Sequence, residues 1–384
     1  MLRIDPAQFL PRPGLRPLWD ALPQARLVGG VVRDLLAGVA TADIDLATPD
    51  PPDAVMRILA AAGIKTIPTG LAHGTITALC AGQHFEITTL RRDIATDGRH
   101  AVVAYTDNWQ QDAARRDFTC NAMSLDRSGT VHDYVGGAAD LAAGVLRFVG
   151  DPATRLAEDY LRLLRFFRFY ARFGRQPPAP EVCHALTAAV PGLAQLSVER
   201  VWHELKRILA AAAPLASLRL MHHLGVLPAV LPNAALDRLA ALLAIDAPAD
   251  PLLRLAALSP ADPTPLADRL RLSGDERQVL LALRGPVPDD SADDRALRQA
   301  LAETPATILI QRSWLAGRTA ALRHRLATLP APVFPLQGRD LLAAGLPPGQ
   351  ALGQRLAALR RWWWDGGCTA DRAACLAALA DLPP

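Results

Sequence analysis

The chain has 384 residues (41.1 kDa), 51% of them hydrophobic and 21% charged; that is enough for two or three folded units and too apolar for disorder. No run approaches the roughly 18 uncharged apolar residues of a membrane helix, and the opening MLRIDPAQFLPRPG has no basic segment followed by an apolar one, so neither a membrane span nor a signal peptide is expected. Net charge is +3 and only Lys65 and Lys206 among 41 basic residues are lysine, so the arginine bias reads as genome composition and overall charge selects no partner.

The first 150 residues mix two periods. Short β-rich runs at 27–28, 44–47, 75–79 and 85–89 are bounded by Gly, Asp or Pro. Helical patterns fall between them at 31–36 and 52–62, the second opening near Asp53 and ending at Gly63. Residues 94–111 are polar and contain glycine, and read as a long loop. After Gly150 the pattern is Leu/Ala-rich with helical spacing over 151–173, 180–190 and 198–212 and through most of the remainder, punctuated by proline clusters. The expected fold class is α+β: a head with a small mixed sheet over 1–150, a helical segment over 151–212 and a helical region over 213–384. Five cysteines (Cys80, Cys120, Cys183, Cys368 and Cys375) form no CxxC pair; an odd count without metal spacing points to a reducing, cytoplasmic setting.

Chemistry concentrates in four segments. In Leu27-Val-Gly-Gly-Val-Val-Arg-Asp34 a strand ends at Gly29-Gly30 and a helix begins. Glycines let backbone approach a phosphate, the helix start offers free N–H groups, and Arg33 lies one turn in. Ten residues on, Asp43 and Asp45 flank Ile44 on a short strand, where side chains two apart share a face. Two carboxylates held together repel unless a divalent cation lies between them, and Mg²⁺ is commonly held by one or two carboxylates plus substrate phosphates. In Asp112-Ala-Ala-Arg-Arg-Asp-Phe-Thr-Cys-Asn-Ala122, Phe118 and Ala122 are four apart as in a packed helix, turning Arg115, Arg116 and Asp117 outward or toward a cleft. In Glu158-Asp159-Tyr-Leu-Arg162-Leu-Leu-Arg165-Phe-Phe-Arg168, arginines recur every three residues and Asp159 precedes Arg162 by three, predicting one basic helical face suited to a triphosphate or an RNA backbone.

Together these segments resemble the class II tRNA nucleotidyltransferase/poly(A) polymerase family, of the polymerase-β-like nucleotidyltransferases, most strongly over residues 25–210. The resemblance implies that Gly29, Gly30, Arg33 and Arg116 hold a nucleoside triphosphate, and that Asp43 and Asp45 are catalytic and bind Mg²⁺. It makes Glu86, on the strand after His73-Gly74-Thr75, the candidate third catalytic carboxylate. Asp117 and Asn121 buttress the nucleotide site. Asp159 and Arg162 form an amino-acid template that reads the base, Glu158 positions the arginine, and Arg165 and Arg168 add nucleotide contacts. Residues 96–109 resemble the loop needed to switch from C to A addition.

The implied activity is Mg²⁺-dependent addition of C, C and A to tRNA 3′ ends from CTP and ATP, with pyrophosphate released and no nucleic-acid template. The helical body would hold the tRNA acceptor end and elbow by shape and phosphate contacts. The alternatives are a bacterial poly(A) polymerase, which shares nearly all these motifs, an enzyme adding only CC or only A, and a non-catalytic RNA-binding relative. Retention of both Asp43 and Asp45 with Arg33 and the template pair disfavours the last.

Overall fold

The computed structural model describes residues 2–41, 44–96 and 101–381. They form two compact units, Met1–Pro232 and Asn233–Pro384.

The first unit opens with α1 (Leu15–Ala21), β1 (Arg26–Val28), α2 (Gly30–Leu36), β2 (Asp45–Thr48) and α3 (Pro52–Ala61). Then come β3 (Lys65–Gly70), β4 (Thr75–Cys80), β5 (Gln83–Thr89), β6 (Arg91–Thr96) and β7 (Ala101–Tyr105). They are followed by α4 (Trp109–Ala114), β8 (Ser124–Leu125), β9 (Val131–His132) and α5 (Gly137–Ala143). Seven strands make one mixed sheet in the order β3-β4-β5-β2-β1-β8-β9. β2 and β5 pair in parallel and the other neighbours are antiparallel. The register across the parallel pair sets Asp45 beside Glu86 and Leu46 beside Ile87. Strand residues alternate faces, so the buried Leu46 and Ile87 anchor the sheet while the two carboxylates share the opposite face.

Two expectations need correction. Part of the segment read as a loop pairs into the β6–β7 hairpin, Arg91 opposite Tyr105, and α4 follows, capped by Asn108, whose Oδ1 accepts from the Gln110 and Gln111 N–H groups at 2.9 and 3.2 Å. The polar composition hid a two-stranded ribbon whose bonds run strand to strand. Nor do residues 112–122 form one packed helix. α4 ends at Ala114, and Phe118 is extended and bridges Phe148. Phe118 is fully buried against Phe148, Phe166 and Phe169, with ring centroids 4.8, 6.1 and 5.4 Å away. Burying one such ring contributes roughly 1.5–3 kcal/mol, more than a turn of helix adds.

That aromatic cluster ties the sheet to the helices that follow: α6 (Pro152–Glu158), α7 (Leu161–Phe173), α8 (Pro180–Ala188), α9 (Val198–Leu209), α10 (Leu215–His223) and α11 (Val226–Val230). Asp151 caps α6, accepting from the Thr154 N–H at 2.7 Å, with Pro152 in the first helical position. Phe166 and Phe167 on α7 are fully buried, and the Ser217 hydroxyl on α10 donates to the Phe167 carbonyl at 2.8 Å.

Every described element of the second unit is a helix. In the Trp362-Trp363-Trp364 run, Trp363 is buried edge-on against Phe334 at 5.5 Å, and the Trp364 indole donates to the Gln299 carbonyl at 3.2 Å. Only Trp362 of the three is exposed, so the run is mainly core. No helix is long and apolar enough to cross a membrane among the described residues.

Candidate active site

A cleft of about 1180 Å³ lies within the first unit. It is lined by Gly29, Gly30, Arg33, Asp45, Arg116, Asp117, Asn121, Asp159, Arg162, Arg165 and Arg168. Residues drawn from four separated sequence segments therefore meet at one surface. Glu86 and Glu158 stand outside the lining, and Asp43 lies outside the described residues.

β1 ends at the Gly-Gly pair and α2 starts there. Gly29 has φ +70° and ψ −126°, a region essentially closed to other residues. A Cβ built at Gly29 would also meet Arg116 Nη1 at 3.1 Å. The backbone turn and the placing of Arg116 thus depend on the same missing side chain. Arg33 is buried, and its Nη1 donates to Asn121 Oδ1 at 2.6 Å. Its Nε and Nη2 donate to Asp34 Oδ1 at 2.8 and 2.7 Å. Its guanidinium lies over the rings of Phe169 and Phe173, 4.8 and 4.7 Å from their centroids. Arg33 is thereby held rigid, with little rotamer entropy left to lose when an anion arrives. Arg116 is held by Asp112 at 3.0 Å.

Asp117 connects the sheet side of the cleft to α7. Its Oδ1 accepts from Asn121 Nδ2 at 3.1 Å and from the Phe118 N–H at 2.9 Å, and its Oδ2 from Arg165 Nε at 2.7 Å. Burial pushes this carboxyl up, but Arg165 and the hydrogen bonds outweigh burial and hold it below the usual carboxylate range. A continuous relay therefore runs from Arg33 through Asn121 and Asp117 to Arg165. Asp112 behaves alike: burial raises it, but Arg116 and Arg115 more than compensate, leaving it depressed.

The segment read as one basic helical face is broken. α6 stops at Glu158, and Asp159 is extended with φ −156° and ψ 108°. Its Oδ1 accepts from the Leu161 N–H at 3.0 Å, which starts α7. Tyr160 at the break packs onto Gly192, where a Cβ would fall 2.1 Å from the ring. Asp159 therefore does not sit on α7 beside Arg162. It is paired with Arg200 of α9 at 3.1 Å, while Glu158 holds Arg162 and Arg155. The break presents Asp159 and Arg162 to the cleft independently. Nor is the arginine series a free positive stripe, because Arg162, Arg165 and Arg168 each meet a carboxylate, from Glu158, Asp117 and Glu204.

The last of these pairs is almost dry. Arg168 is 8% and Glu204 3% exposed. Arg168 Nε lies 3.1 Å from Glu204 Oε2, yet neither atom makes a hydrogen bond, so the contact is an ion pair without good alignment. Burial pushes Arg168 down to about 10 although Glu204 opposes this, and the positive Arg165 and Arg207 add to the fall.

The oxygen donors suit a hard cation. Asp45 lines the cleft, and the register sets Glu86, which is exposed, beside it. Among the described residues no three His, Cys, Asp or Glu groups are placed to enclose a metal. A donor set of one or two carboxylates fits an ion that keeps its waters and takes phosphate oxygens, as Mg²⁺ does, and does not fit a caged zinc.

Sequence reasoning missed four supporting residues: Asp112, Arg155, Arg200 and Glu204. The spacing of Asp112 from Arg115 and Arg116, three and four residues, was a readable signal, although α4 itself ends at Ala114. Arg200 and Glu204 are also four apart, but their partners lie on another element and nothing local identifies them.

Residues 25–147 match the family model described as the poly A polymerase head domain, and residues 178–237 match the one described as the probable RNA and SrmB-binding site of polymerase A. The chain is 38% identical over 363 residues to the human protein named CCA tRNA nucleotidyltransferase 1, mitochondrial, covering 90% of this chain and 83% of that one. It is 30% identical to the CCA-adding enzyme of Limosilactobacillus fermentum over 98% of both chains. The crystal structure of the Bacillus stearothermophilus CCA-adding enzyme in complex with CTP is similar over 98% of both chains, with a TM-score of 0.76 and 25% identity. With 38% identity to one such enzyme over most of both chains and the fold of another over nearly all of each, the chain belongs to the CCA-adding tRNA nucleotidyltransferase family.

Proposed function

We propose that this protein adds C, C and A in turn to the 3′ end of tRNA, taking CTP and ATP as substrates and releasing pyrophosphate. The observation that carries this reading is the convergence of Gly29, Gly30, Arg33, Arg116, Asp45, Asp159 and Arg162 on one cleft. The names of the relatives favour CCA addition over poly(A) synthesis. We assign 1–150 as the catalytic head, 151–212 as the nucleotide-selecting segment and 213–384 as the tRNA-holding body and tail. Cys120, Cys368 and Cys375 are buried and all five thiols are free, which supports a reducing, cytoplasmic setting.

In the proposed reaction the terminal 3′-hydroxyl oxygen bonds to the α-phosphorus. The bond from that phosphorus to the bridging oxygen breaks, pyrophosphate leaves and the hydroxyl loses its proton. Gly29 and Gly30 let backbone approach the triphosphate, and Arg33 and Arg116 neutralise its charge from fixed positions. Asp159 offers acceptors and Arg162 donors to the base edge, so the protein takes the place of a template. Glu158 holds Arg162, and Asp117 with Asn121 holds Arg165 and Arg33, so both ends of the nucleotide meet preset side chains. Arg168 adds a buried positive charge. Asp43 and Asp45 would hold Mg²⁺, with Glu86 beside Asp45; such an ion, when bound, would activate the attacking hydroxyl and stabilise the leaving pyrophosphate.

The test uses tRNA transcripts ending before CCA, after C and after CC, each with CTP, ATP or both. Completion to CCA and then a stop supports the reading. A long A ladder identifies a poly(A) polymerase, arrest at CC a partial enzyme, and no extension a binding protein. Asp45→Ala should abolish incorporation of both nucleotides while tRNA binding persists; incorporation by that variant would remove Asp45 from the catalytic role.

A further inference from the structure

α7 and α9 run side by side and face each other as a ladder of charged rungs. The first rung pairs Asp159, in the break just before α7, with Arg200, and the second pairs Arg168 with Glu204. One turn further, helical spacing brings Arg172 from α7, four residues past Arg168, and Arg207 from α9, three residues past Glu204, onto the same two faces. Beyond the second rung both helices therefore carry arginine toward the cleft.

Both Arg172 and Arg207 line the cleft and are exposed in it. Among the described residues neither has a carboxylate partner; Arg172 rests on the Phe173 ring at 5.0 Å. Arg33 also lies against that ring, 4.7 Å from the same centroid. The nearest carboxylate on these helices, Glu204, is already taken by Arg168. Arg207 is close enough to depress Arg168 further. The wall beyond the rung is Ala210, Ala211, Ala212 and Ala213, so no large side chain fills the space. Two guanidiniums lining one cleft, neither with a carboxylate partner among the described residues, are placed to take an anion that the protein does not supply.

We propose that Arg172 and Arg207 grip a phosphodiester of the RNA strand whose 3′ end is being extended. This rests on the function proposed above. The free anion with matching chemistry would be the triphosphate, but Arg162, assigned to the base, lies ten residues before Arg172, about 15 Å along the helix axis. The Gly29-Gly30 turn with Arg33 and Arg116 already provides for the phosphates of the nucleotide. The rung is left for a second polyanion entering the same cleft.

The test measures steady-state ATP addition to a tRNA ending in CC, with the full chain. Arg172→Gln and Arg207→Gln should each raise the KM for tRNA about tenfold, the loss of one charged hydrogen bond. The KM for ATP should stay within about twofold, since no contact to the nucleotide is removed. Each should also flatten the dependence of log KM on log salt by about one unit of slope. Arg207→Lys should restore much of the tRNA affinity, because a point charge still serves a phosphate. Thermal unfolding should be unchanged, as both side chains are exposed. A rise in the KM for ATP alone assigns the rung to the triphosphate and overturns the proposal. No change in either KM or in the salt slope makes it a solvated face and also overturns it. Failure of the unaltered protein to extend tRNA would instead sink the function proposed above.

Discussion

The buried Arg168–Glu204 pair offers the sharpest test of how this cleft is held. Replacing Glu204 with glutamine keeps shape and removes charge, so no cavity complicates the result. Arg168 then stays 8% exposed, with the positive Arg165 and Arg207 acting against its charge and only the weaker influence of Asp117 in its favour. Removing one partner of a buried pair costs about 3–5 kcal/mol. The lower end applies here, because the contact is misaligned for a hydrogen bond and Arg168 retains the Phe169 ring at 4.4 Å. Glu204→Gln should therefore lower the stability of the first unit by about 3 kcal/mol. The double variant Arg168→Met with Glu204→Leu removes both charges and fills the same space; it should recover all but about 1 kcal/mol of that loss, although nucleotide addition will fall with Arg168. Guanidinium unfolding of the full chain at pH 7, followed by tryptophan fluorescence and circular dichroism, reads both values, fitting a transition for each unit. A loss below about 1 kcal/mol for Glu204→Gln, or a double variant as unstable as the single, would refute the claim that the pair is dry and mutually compensating.

Other consequences follow from the same geometry. Arg162→Ala should blur the choice between CTP and ATP more than it weakens triphosphate binding; misincorporation assays showing unchanged discrimination would remove it from base reading. Gly29→Ala forces a side chain into φ +70° and against Arg116, costing about 1–3 kcal/mol, and should raise the KM for CTP and ATP together. Asp117 has a folded-state pKa below its ordinary value of 3.8. Its contribution is therefore fully present above that value and is lost as pH falls through it toward the folded pKa. Between pH 6 and pH 3 the unaltered protein should lose more unfolding free energy than Asp117→Asn, and equal losses would show that this carboxylate is not held by its partners.

Much of the site could be read from the residues, because its chemistry is local. Gly29-Gly30 with Arg33 three residues on is a strand–turn–helix signature, and the pairing of Arg115 and Arg116 with Asp112 follows from helical spacing alone. The α+β organisation was also legible, since the change from short alternating runs to Leu/Ala periodicity occurs at Gly150 and needs no partner to be seen. The seven strands were not all visible: β8 and β9 have two residues each, too short to show a period.

Tertiary structure decided what each charge faces. The sequence alone spaces Asp159, Arg162, Arg165 and Arg168 as one face of a helix. In the fold, the turn at 159–160 splits that face, and the acidic partners come from Asp117 in a different segment and from Glu204 on α9. No periodicity within a segment can reveal a carboxylate supplied across 36 to 48 positions, because such pairs are brought together by the burial of Phe118, Phe148, Phe166 and their neighbours and not by any local spacing. The residue types and their order therefore determine which chemistry the protein carries, while apolar packing determines which arginines are spent on internal carboxylates and which stay open to a phosphate.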